Sequence, residues 1–178
     1  TSTKLSNSVK EKLSLFCDLD RDCVIEGSDV ASIYDVPMAL EKEGLPEQVI
    51  KLLSLEEKHN DWNDWVEVAN KLKNSDKVVK IAVVGKYIEL SDAYISVIES
   101  VKHAAAKVEA KAEIVWVSAD EHIEKEGAEK FLSDVDGILI PGGFGDRGVE
   151  GKISAIQYAR ENEIPFLGLC LGLQCAVI

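Results

Sequence analysis

The residues able to do chemistry lie in two glycine-rich stretches. One, Gly168-Leu169-Cys170-Leu171-Gly172, sets a thiol between two glycines directly after an apolar run. Flanking glycines remove the side chains that would clash in a sharp strand-to-helix turn, so this is a thiol version of a nucleophile elbow. A helix opening just after the cysteine would aim its N-terminus at the sulfur and favour the thiolate. The N–H of the next residue can bind an oxyanion. The plain alternative is a small cysteine buried in a glycine-rich crossover. The other stretch, "PGGFGDRG" from Pro141, follows the apolar "GILI". Its consecutive glycines let backbone N–H groups approach a substrate oxyanion. Either loop alone is weak; two at neighbouring strand ends, one holding a cysteine, make a site.

The elements that must position these loops read as strand–helix alternation. "VVKIAVVGKY" is a β-branched apolar run suited to a strand buried on both faces. After it come a helix in "DAYISVIESVKHAAAKVEA", a strand "AEIVWVSA", a short helix "GAEKFLSD" and the strand "GILIP". A helix "KISAIQYAREN" and a last strand "IPFLGL" complete the pattern. Four such alternations predict an α/β fold, part of a doubly wound, flavodoxin-like and mostly parallel sheet. Ligands in such folds bind beyond the carboxyl ends of the strands, where both loops fall.

Residues 1 to about 75 read as helical instead. "NSVKEKLSLFC" places Val9, Leu13 and Phe16 on one face. Pro37 fits a first helical turn, with Gly44 as the stop. "LPEQVIKLLSL" and "DWNDWVEVANKLK" are two more amphipathic segments, the second with Asp61 as a candidate cap. "KNSDK" reads as a short polar linker.

Composition narrows the function classes. The net charge of −12 disfavours non-specific nucleic-acid binding. No run approaches the roughly 18 apolar residues of a membrane span. The first residues carry no apolar signal core, and the first residue is not methionine. Cys17, Cys23, Cys170 and Cys175 form no C-x-x-C pair and have no histidine at zinc spacing. Reduced thiols and a cytoplasmic location are the expectation. Cys175, without glycine flanks, reads as core packing.

The sequence "PGGFGDRGVEGKI", followed by "IPFLGLCLGLQ", resembles the class I glutamine amidotransferases. "VGKYIELSDAYISVIESVKHA" and "LFCDLDRDCVIEGSDVASIYDVP" narrow the resemblance to the CTP synthase family, over nearly the whole chain. The resemblance implies the C-terminal part of a synthase (amidoligase) domain at 1–55, a helical interdomain linker at 56–77 and the first half of an amidotransferase domain at 78–178. In that family ATP and magnesium serve to phosphorylate UTP, and ammonia released from L-glutamine then gives CTP. GTP is an allosteric activator, the enzyme is a homotetramer, and no bound organic cofactor is implied.

Carried onto this chain, the resemblance makes Cys170 the nucleophile. Gly142, Gly143 and the Leu171 N–H become oxyanion-hole and glutamine contacts, with Phe144 and Gln174 around the glutamine. The loop from Arg147 to Gly151 corresponds to a lid segment responsive to GTP. Lys12, Ser28, Asp29 and Val30 correspond to nucleotide-binding positions of the synthase domain. No metal ligand is implied within the chain. Each has a plainer reading: Gln174 a helix-surface amide, Arg147 a solvated charge, Asp29 a helix cap, Lys12 an exposed lysine. Tyr94 and His103 read as structural.

A cysteine nucleophile needs a base. The family's histidine and glutamate follow the elbow, whereas His59, His103 and His122 all precede it. The expectation is therefore an internal segment of the enzyme, inactive and prone to aggregate by itself. Two alternatives remain: another cysteine-elbow hydrolase such as a γ-glutamyl hydrolase, for which the "SDVASIYDVP" region has no use, or a catalytically incomplete regulatory or filament-forming subunit.

Overall fold

The computed structural model describes residues 2–58 and 61–178. The chain divides into two compact units, Thr1–Ala69 and Asn70–Ile178.

The first unit is helical. Helix α1 (Asn7–Cys17) opens with Ser6, whose hydroxyl accepts from Val9 N, and ends at Asp18 in the left-handed conformation. The apolar face expected of it is present, but Val9, Leu13 and Phe16 are exposed. Helix α2 (Val36–Lys42) carries Pro37 in its first turn, and Gly44 follows with φ +85°, as the sequence predicts. Helix α3 (Leu45–Leu53) follows directly. Helix α4 (Asn63–Asn74) begins beside Asp61, whose carboxylate accepts from Asn63 N at 2.8 Å. Because α4 runs to Asn74 and the next strand starts at Lys77, the expected polar linker shrinks to Ser75 and Asp76.

The second unit is a four-stranded parallel sheet in the order β2-β1-β3-β4. Its strands are β1 (Lys77–Gly85), β2 (Ala110–Ser118), β3 (Gly137–Ile140) and β4 (Phe166–Gly168). Helix α5 (Ile95–Lys107) joins β1 to β2, α6 (Glu129–Leu132) precedes β3, α7 (Val149–Glu161) joins β3 to β4, and α8 (Leu171–Val177) follows β4. The strand order is that of a doubly wound sheet, with its switch point between β1 and β3.

Alternation along β1 sorts the core into two layers, since successive strand side chains face opposite ways. Ala82 and Val84 join Ile138 and Ile140 against Ala155 and Ala159 of α7. Val83 packs on the other face with Tyr94 and Ile98. The π-helical turn Ala119–Glu124 after β2 was not foreseen; it supplies Ala119 and Ile123 to the first layer. Register sets the site. Ile140 of β3 pairs with Gly168 of β4, so the loops that leave these two strands start side by side.

Candidate active site

Cys170 sits at the turn between β4 and α8, exposed, with φ 52° and ψ −109°. An L-residue rarely adopts this backbone, so the thiol is held in a strained, outward conformation. The turn closes because Gly168 and Gly172 lack side chains. A methyl on Gly172 would lie 2.1 Å from Ile140 O, and one on Gly168 2.7 Å from the Gly172 carbonyl. Leu169 N donates to Ile140 O at 2.9 Å, and Gln174 N donates to Cys170 O at 3.0 Å.

The neighbouring loop reaches the thiol. A methyl placed on Gly142 would lie 3.3 Å from Cys170 Cβ and 3.8 Å from its Sγ; one on Gly143 would lie 3.6 Å from Leu171 Cδ2. Four of the expected residues, Gly142, Gly143, Cys170 and Leu171, therefore come together. Among the described residues neither Gly142 N nor Gly143 N donates a hydrogen bond. Leu171 is the first residue of α8, where an N–H has no intrahelical acceptor. The arrangement offers backbone donors beside a thiol.

Around this centre the remaining positions scatter. Phe144 stands 89% exposed at the loop apex, and Gln174 is exposed on α8. Arg147 is not merely solvated. Its guanidinium donates to Lys86 O at 2.8 Å, pairs with Asp120 at 3.3 Å and lies over the Tyr87 ring. Burial pushes the Asp120 carboxyl up, but the Ser118 hydroxyl, nearby backbone N–H groups and Arg147 together hold it below its ordinary value. Gly151 is packing: a methyl there would lie 1.9 Å from Ala119 O. Cys175 is buried, as expected of core. In the first unit, Lys12 is exposed with its ammonium 6.0 Å over the Phe16 ring, and Ser28 donates to Glu26 at 3.1 Å. Asp29 and Val30 are also exposed.

Sequence reasoning missed two lysines. Lys86, 6% exposed at the end of β1, donates through Nζ to Phe144 O and, at 3.0 Å, to Gly145 O. Lys152, fully buried at the start of α7, donates to Pro141 O at 3.3 Å. Burial drives the Lys152 ammonium below its ordinary pKa; the Lys86 charge acts the same way. Lys86 did carry a sequence signal, since it directly follows a strand whose carboxyl end faces the site. Tyr94, expected to be structural, is buried and accepts from Lys86 N at 3.3 Å. Burial raises its phenol pKa.

Of the histidines, His59 lies outside the described residues. His103 is exposed on α5, and His122 accepts from Ser118 N and stacks on Phe131. Among the described residues none hydrogen-bonds Cys170, and no group of three or more His, Cys, Asp or Glu could hold a metal ion. No described helix is long and apolar enough to cross a membrane.

A family model described as glutamine amidotransferase class-I matches residues 89–178, just over half of the chain. The chain belongs to this family. A second model, CTP synthase N-terminus, matches residues 1–55 of the same chain. It is 52% identical over 174 residues to the CTP synthases of Rippkaea orientalis (strain PCC 8801 / RF-1) and of Synechocystis sp. (strain ATCC 27184 / PCC 6803 / Kazusa). These alignments cover 98% of this chain and 32% and 31% of the two relatives. The chain thus spans about a third of the length of the curated relatives it matches. A solved Trypanosoma brucei CTPS glutaminase domain with bound acivicin is 44% identical, with a TM-score of 0.51, covering 56% of this chain and 39% of that one. Fold class and resemblance both agree with the reading of the sequence.

Proposed function

We propose that this chain is part of a glutamine-dependent CTP synthase and carries the nucleophile of its glutaminase step. The observation that supports this most is the approach of Gly142 to Cys170 at adjacent, in-register strand ends. The Cys170 thiolate attacks the γ-carboxamide carbon of L-glutamine, forming a C–S bond and a tetrahedral oxyanion. The N–H groups of Gly142 and Gly143, with that of Leu171, serve as the donors to that oxyanion and to the bound glutamine. Collapse expels ammonia, and water hydrolyses the γ-glutamyl thioester to glutamate. The base is a histidine oriented by a glutamate, as the family resemblance implies; neither is among the residues described here.

Phe144 and Gln174 border the glutamine, and the segment from Arg147 to Gly151 responds to GTP. Lys12, Ser28, Asp29 and Val30 belong to the nucleotide side, within the synthase part at 1–55. Residues 56–77 link it to the amidotransferase part at 78–178. UTP, ATP with magnesium and a cytoplasmic homotetramer complete the reading. No step described here passes through the metal. The match of residues 1–55 to a CTP synthase domain favours this over a free-standing cysteine-elbow hydrolase.

The test is Cys170→Ala in the native protein. Glutamine-dependent CTP formation is lost, and formation from added ammonia stays near the unmodified rate. Retained glutamine use would exclude Cys170 as the nucleophile.

A further inference from the structure

We propose that Lys86 is a positioning residue for the oxyanion donors, clamping the glycine loop so that the Gly142 and Gly143 peptides face Cys170. The proposal rests on the thiol reading above. Lys86 is nearly buried at the C-terminal end of β1, and each of its polar groups has a partner. Nζ donates to Phe144 O and Gly145 O; the backbone N–H donates to Tyr94 Oη; the backbone C=O accepts from Arg147.

Three of these contacts end in the loop 144–147, immediately beyond the two glycines. On the near side, Lys152 holds Pro141 O. A trans peptide points its C=O and N–H in opposite directions. Fixing Pro141 O therefore fixes where the Gly142 N–H points. Fixing Phe144 O and Gly145 O anchors the far end of the span. Between the two anchors lie the amides of Gly142 and Gly143, whose N–H groups have no partner among the described residues. The aliphatic stem of Lys86 also fills the space under Gly143: a methyl there would lie 2.9 Å from Lys86 Cε. Glycine is the residue that lets ammonium and loop close to this distance. Consecutive glycines left to themselves sample many conformations, so donors at this place need an external anchor.

The test compares two reactions of Cys170, each followed by peptide mass spectrometry so that Cys17 and Cys23 are counted separately. Iodoacetamide alkylates the thiolate by displacing iodide and builds no oxyanion. p-Nitrophenyl acetate acylates it through a tetrahedral oxyanion that expels nitrophenolate. Lys86→Met is expected to lower acylation at least about tenfold while alkylation stays within about twofold, because only acylation uses the donors. Lys86→Arg, which offers donors to both carbonyls, is expected to recover most of the acylation rate. Lys80→Met, an equal loss of charge in β1 six residues before Lys86, leaves the ratio unchanged. Should Lys86→Met not fold, Lys86→Gln is judged by the same ratio.

Amide exchange over 142–147 separates the two readings. Faster exchange with an unchanged ratio means that Lys86 holds the loop but the loop is no oxyanion hole. Unchanged exchange, or equal loss of both reactions, overturns the positioning role.

Discussion

The two glycine-rich loops leave neighbouring strands, yet they are held by opposite means. The elbow at 168–172 is fixed by backbone pressed on backbone: Gly172 against Ile140 O, and Gly168 against Gly172. The loop at 141–147 is fixed by cations: Lys152 on Pro141, Lys86 on Phe144 and Gly145, Arg147 on Lys86 O. Steric closure tolerates no added atom. Closure by charged hydrogen bonds can be graded, loosened by substitution and altered by pH. Under the proposed function, the part that holds the strained thiol uses the first device, and the part that offers the donors uses the second.

The sharpest way to break the comparison is Gly172→Ala. Its methyl meets a backbone oxygen that belongs to the sheet and cannot yield, so we expect a loss of about 3 kcal/mol or more of unfolding free energy, read as a lower urea midpoint. An unchanged midpoint would show that the elbow relaxes easily.

Next is Lys152→Met. The titratable groups facing this ammonium are Lys86, Cys170 and Cys175. A lysine whose folded pKa is depressed binds fewer protons folded than unfolded between that value and about 10.4. Stability contributed here is therefore lowest below the folded pKa and rises with pH through that window, by roughly 1.4 kcal/mol for each unit of depression. The Met variant is expected to lose this rise and to be no less stable at neutral pH, since apolar replacement of a buried charge is commonly neutral or favourable. Urea titrations across the alkaline range measure the slope; equal slopes in both proteins would count against it.

Tyr94→Phe has a smaller effect. It removes the acceptor of Lys86 N and nothing of the ring stacking with Trp116, for an expected cost of about 1 kcal/mol in thermal or urea unfolding. The smallest effect on stability is that of Gly142→Ala. Its methyl, 3.3 Å from Cys170 Cβ, needs only a slight shift, so stability changes by less than about 1 kcal/mol. Acylation of Cys170 falls all the same, because the shift moves the donors. A stable variant with an unimpaired acylation rate would separate Gly142 from the oxyanion.

The sheet was legible because β-branched runs and turn glycines announce buried parallel strands, and β1 and β3 start within a residue or two of where the pattern puts them. The elbow was legible because few sequences place cysteine between glycines at a strand end. The lysines were not. Lys86 and Lys152 are two of the 20 Lys and Arg residues of the chain, a class that usually lies at the surface, and a side chain's burial depends on what other segments bring to it. The linker was overdrawn for a related reason: "KNSDK" is polar, but Lys73 and Asn74 still extend the last turn of α4. The plainer reading of Arg147, a solvated charge, was open to the sequence because its partners, Asp120 and Lys86, come from segments 27 and 61 residues away.

The backbone at Cys170 has one more consequence. With φ 52° and ψ −109°, it adopts a conformation natural to glycine and costly to a residue bearing a Cβ. Such strain is on the order of 1–3 kcal/mol, more than the entropy glycine loses on folding. Cys170→Gly would thus leave a protein that lacks the proposed nucleophile and is harder to unfold than the one with the thiol. Selection for robustness alone would erase this cysteine; its presence in so unfavourable a conformation records a demand other than stability.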